Sequence, residues 1–174
     1  MTHRTGMMAR LTAILRRAIE YWAVAGGIVL LGVVLVNALS LTSFIVAGSP
    51  FPGDFEIVEV GVAVAVFTFL PYCQLSGANV TADIFTSGAG PRLLAGLTAV
   101  ASAVAALFAA FLFSRMYAGF HDLRLYEETT AIYQFPIWAA YLPILVSIAL
   151  LFAAALITFV DALGGRIPDE GGPR

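Results

Sequence analysis

Lysine is absent from this chain, cysteine occurs once and histidine twice, and charged residues make up only 11% of its 174 positions. So little charge beside 60% hydrophobic residues excludes an ordinary water-soluble domain. The lone Cys73 has no second cysteine with which to close an intramolecular disulfide. His3 and His121 stand far apart in the chain, and there is no HExxH, no CxxC, no phosphate-cradling glycine loop and no serine beside a motif for a base. The sequence therefore offers no catalytic centre, no metal or cofactor site and no nucleic-acid surface.

Long uncharged runs take their place. Tyr21 to Gly53, Val60 to Ala82, Leu93 to Ser114 and Thr129 to Val160 each reach the roughly 20 residues that cross a bilayer as a helix. Lipid cannot satisfy open backbone groups, and runs this long and continuously apolar exclude the short alternating strands of a barrel. The expected fold is all-α, a single membrane domain over residues 1–174 with transmembrane helices at 21–44, 55–75, 93–117 and 136–160. The first run is too long for the apolar core of a secretory signal and reads as a retained helix. Residues 7–20 form an amphipathic arm, with Met7, Met8, Leu11, Ile14, Leu15, Ala18 and Ile19 on one face and Arg10, Arg16 and Arg17 on the other. That pattern is read as an N-terminal interfacial helix on anionic lipid, added to the four spans; the competing reading is a simple extension of the first span. The tail at 161–174, rich in glycine, proline and charge, is expected to be flexible.

All nine basic residues are arginines, and only Arg115 and Arg124 fall on the side opposite the termini. The positive-inside rule then places both termini in the cytoplasm and the connections after the first and third spans outside. Arg16, Arg17, Trp22, Trp138 and Tyr141 are the expected membrane anchors. Pro71 lies near the end of the second span as a potential kink, and the third span carries small residues in two rows, Ala95–Ala99–Ala103 and Ser102–Ala106–Ala110, that permit close helix contact.

The polar residues that remain near span ends are Asn37, Glu56, Glu59 and Gln74. A helix N-terminus favours acids, which accounts for Glu56 and Glu59 without further function. Alternatively Glu59 pairs inside the membrane, with Asn37 of the antiparallel first helix as one geometrically available partner, and takes part in assembly with another protein. Discontinuous helices, two-fold repeats and charged midplane residues, the usual marks of a chain that transports alone, are not seen.

Taken together, the basic arm, a second span with a glutamate near its start, the exit LSGANVTADIF and the later FPIWAAYLPI resemble the small membrane subunit (DctQ type) of tripartite ATP-independent periplasmic, or TRAP, transporters. The resemblance spans nearly the whole chain. Where the family often has a histidine after the glycine of the exit, this chain has Asn79, which hydrogen-bonds but does not become a cation near neutral pH; Asp83 follows in the same motif. The resemblance implies a subunit without its own site that supports a large permease subunit in sodium-coupled uptake of a small organic acid brought by a periplasmic binding protein. The assembly candidates are then Asn37, Glu56, Glu59 and Gln74 from the span ends with Asn79 and Asp83 from the exit motif, and on this model Asp54, Arg115, His121, Asp122, Arg124, Glu127 and Glu128 are the candidates for docking of the binding protein, although exposed loop charges need no partner. The competing reading is a stand-alone four-span membrane protein, either a self-associating oligomer or a small membrane enzyme.

Overall fold

The computed structural model describes residues 2–77 and 91–164. Four helices make up almost all of it: α1 (Thr2–Ala47), α2 (Asp54–Ser76), α3 (Pro91–Leu125) and α4 (Ile137–Leu163). Each contains a stretch long and apolar enough to cross a membrane, so the chain is a multi-pass membrane protein. Among the described residues there is no strand, only an isolated antiparallel bridge between Thr129 and Pro136.

Two helices outrun a bilayer. At 1.5 Å per residue the 46 residues of α1 span about 69 Å, roughly twice the hydrocarbon thickness. α1 has no break between residues 7 and 21, so the expected arm is the first turns of one continuous helix and not a separate element. The apolar and basic positions there follow the same helical period as the span, which leaves nothing to interrupt it. α3 likewise runs on to Leu125, which puts Arg115, His121, Asp122 and Arg124 on its last turns; Glu127 and Glu128 alone of those candidates belong to the connection. The bundle has a loop end, with the α1–α2 turn and the α3–α4 connection, and a terminal end, where α1 starts and α4 stops.

The helices pack as a row. α1 lies on α2, α2 on α4 and α4 on α3, while α1 touches α4 only slightly. The α1–α2 seam is a heptad. Gly26, Val33 and Ser40 of α1 meet Thr68, Gly61 and Asp54 of α2, seven residues forward on one helix for seven back on the other. Glycine permits the approach at two of these levels: a Cβ on Gly26 would stand 2.8 Å from Thr68 Cβ, and one on Gly61 would overlap a Val33 methyl. Along α3 the buried positions are Ala99, Ser102, Ala106 and Ala109. The 3-4-3 spacing selects members of both expected rows and leaves Ala110 exposed, because the seam follows the heptad zigzag and not a single i, i+4 line.

α4 is the central helix beside α2. Its fully buried Ile148 joins Ile144 and Ala109 of α3, with Phe67 of α2 packed against them, so the core sits where α2, α3 and α4 meet. Pro71 is buried within an unbroken α2, and Pro143 is accommodated two turns into α4.

Candidate functional site

Polar side chains gather at the loop end. In the α1–α2 turn the Ser40 hydroxyl donates to the Asp54 carboxylate and accepts from the Phe51 amide at 3.1 Å. Two residues along α2, the Glu56 carboxylate reaches across to the α3–α4 connection and accepts the amide hydrogens of Ile132 at 2.7 Å and Tyr133 at 3.1 Å. Tyr133 returns the link by donating its hydroxyl to the Pro52 carbonyl at 2.8 Å. Gly53, at φ 77°, lies so close to the Tyr133 ring that an added Cβ would stand 2.9 Å from Cδ2. Both the left-handed backbone and the ring contact therefore favour glycine there.

The connection is itself ordered. Thr130 N–H donates to the Phe135 carbonyl at 3.0 Å, Ile137 N–H to the Glu128 carbonyl at 3.1 Å, and Phe135 N–H to Thr130 Oγ1 at 3.0 Å. Glu127 and Gln134 both take φ of 51°, marking the corners of this turn. Glu56 therefore acts as a staple between two loops that are distant in sequence. Glu56→Ala is expected to raise amide exchange at Ile132 and Tyr133 while Thr130 and Ile137, bonded to backbone, keep their protection; equal exchange at all four would remove the staple role.

The remaining candidates separate. Glu59 and Asn37 are both exposed, and among the described residues neither side chain forms a hydrogen bond, so the Asn37–Glu59 pairing is not made. The reason is the seam: Glu59 lies two residues from Gly61, about 200° around α2 from the side that meets α1. Asn37 instead lines a shallow cavity of about 190 Å³ with Ser40, Leu41, Phe44, Pro50 and Asp54. Gln74 is buried. Asn79 and Asp83 lie outside the described residues.

On the last turns of α3, Arg124 stands 5.9 Å over the Trp138 ring, Phe120 meets Trp138 edge-on at 6.2 Å, and Tyr117 meets His121 edge-on at 4.9 Å. Trp138 and Tyr141, expected as membrane anchors, thus also pack on α3; Tyr141 lies against Gly119. Arg115, His121, Asp122, Arg124, Glu127 and Glu128 are all exposed, as docking groups or ordinary solvated charges would be.

Two contacts that composition did not suggest tie α1 to α4. The Arg16 guanidinium pairs with Asp161 at 2.8 Å near the terminal end, and Trp22 Nε1 donates to Ser147 Oγ at 2.9 Å. Trp22 is thereby committed to the bundle. Arg17 remains exposed. Serine on a central apolar helix was the one available hint, since Ser147 is buried and needs a partner.

Among the described residues no three of His, Cys, Asp and Glu gather as metal ligands. The larger cavity, about 290 Å³ between α3 and α4, is lined by Ala109, Ala110, Phe113, Ile148, Ala149 and Phe152 and offers only apolar side chains.

No curated protein and no solved structure matches the chain. A family model does, over residues 30–165, which takes in the heptad seam from Val33, the Glu56 staple and the whole of α2, α3 and α4. This membrane protein belongs to the DctQ family, the DctQ component of the tripartite ATP-independent periplasmic transporters.

Proposed function

We propose that the chain is the small permease subunit of a TRAP-type secondary transporter in the bacterial inner membrane, supporting a large permease subunit in sodium-coupled uptake of a small organic acid delivered by a periplasmic binding protein. The observation that carries this reading is the family match over residues 30–165, which takes in the whole of α2, α3 and α4. The open row fits it, since α1 packs chiefly on α2 and α3 on α4, leaving the outer helices room for a further neighbour.

The excess of arginine at the terminal end supports cytoplasmic termini and a loop end facing the periplasm. The first turns of α1, with Arg10 and Arg17 exposed, then lie at the cytoplasmic headgroup layer. The stapled loop end presents Asp122, Glu127 and Glu128 toward the compartment of the binding protein.

The test is uptake. Cells lacking this chain are supplied with a panel of radiolabelled mono- and dicarboxylates, with and without sodium. At least one is expected to show sodium-dependent uptake that disappears with the chain and returns when it is re-expressed. Identical uptake of the whole panel in both strains would reject organic acids as the cargo of this system.

A further inference from the structure

We infer that the face of α2 carrying Phe55, Glu59, Val62 and Val66 is where a transmembrane helix of the large permease subunit docks, setting an arginine or lysine against Glu59. This rests on the reading of the chain as a small permease subunit.

All four residues are exposed, and their spacing of four, three and four is that of one helical stripe. The stripe belongs to neither seam: α1 takes the side of Asp54, Gly61 and Thr68, and Phe67 marks the side turned to the core around Ile144 and Ile148. α2 has neighbours on two sides and still shows a third, apolar and uninterrupted except for one acid.

That acid is unlike the other two near the start of α2. Asp54 is bonded to Ser40 and Glu56 to two loop amides, whereas Glu59 has no partner among the described residues. It lies five residues beyond Asp54, about 7.5 Å along the axis, on the exposed side of a helix long and apolar enough to cross a membrane. A carboxylate facing hydrocarbon is costly and is kept where a donor or cation meets it. A second copy of this chain supplies no such group, because a two-fold pairing of the stripe would bring Glu59 toward its own counterpart. Charge complementarity therefore calls for a basic side chain on an otherwise aliphatic helix.

The experiment uses the tagged chain expressed beside its natural large subunit, with a photo-reactive amino acid placed in turn at Val62, Val66, Leu35 on α1 and Leu107 on α3. Cross-links to a protein identified by mass spectrometry as the large permease subunit are expected from Val62 and Val66 and not from Leu35 or Leu107. Glu59→Arg should lower recovery of that subunit roughly tenfold, Glu59→Gln by less, and Glu20→Arg, at an exposed position of α1, should leave it unchanged, with the tagged chain itself recovered intact. Cross-links from Leu35 or Leu107 alone, a homodimer cross-linked through Val62, lipid adducts only, or full recovery with Glu59→Arg would each overturn the assignment while leaving the subunit reading in place. Failure of the wild-type chain to retain any large permease subunit would overturn both.

Discussion

Gly26→Leu is expected to separate α1 from α2 and to leave the chain without a monodisperse folded form in mild detergent. At Gly26 even a Cβ falls 2.8 Å from Thr68 Cβ, with the Ala65 carbonyl 3.5 Å away, and Thr68 is itself buried with its hydroxyl bonded to that carbonyl at 2.7 Å. A rotamer change moves the hydroxyl but not Cβ, so relief requires the helices to part. Overpacking of this kind costs about 1–3 kcal/mol for one added methyl and more for a branched side chain. Gly26→Ala should therefore destabilise by about that amount, and Thr68→Gly should recover much of it in the double variant. At Gly27 and Gly32 an added Cβ would meet nothing within 4 Å, so alanine at either should fall within about 1 kcal/mol of wild type, on the stabilising side. Steric-trap unfolding in bicelles measures the alanine variants and the double variant. Equal effects at Gly26 and Gly27 would dissolve the seam described above.

The second large effect is expected at Ile148. Between lipid-embedded helices there is little hydrophobic drive, since lipid tails are as apolar as isoleucine, and stability comes from close packing. Ile148 is fully buried where Ala109, Ile144 and Phe67 converge, so it serves the contacts of α4 with α3 and with α2 at once. Ile148→Ala should cost about 2–5 kcal/mol, with the loss shared between both seams. Leu156→Ala, on the same helix but 43% exposed, should cost well under about 1 kcal/mol. Similar losses at the two positions would mean that α4 is not the central helix of the row.

Much of this architecture is legible in the chain's pattern of residues. Four apolar runs of bilayer length leave helices as the only workable solution, and Pro50, Pro52 and Gly53 mark the first turn. Span ends are harder to place, because polar residues at an interface do not stop a helix. Arg115 to Leu125 keep the helical period of α3, and the arm keeps that of α1, so both helices run further than their apolar cores. The partner of each seam is beyond the sequence for another reason. Gly26 and Gly27 are adjacent and identical in type, yet one is pressed against Thr68 and the other meets nothing. Only the register of α1 against α2 separates them. The same register turns Glu59 away from Asn37, while Glu56, three residues earlier, faces Ile132 and Tyr133 more than seventy positions downstream. Long-range pairing of a carboxylate with backbone amides leaves no mark in composition.

These observations describe a row of membrane helices that we propose is completed by another protein. Native mass spectrometry of the tagged chain, released from mild detergent, tests that most directly. The expected species is the 18.4 kDa chain bound to one much larger membrane protein identified as a TRAP large permease subunit. A chain that emerges only as a monomer, or only in complexes with copies of itself, would contradict it.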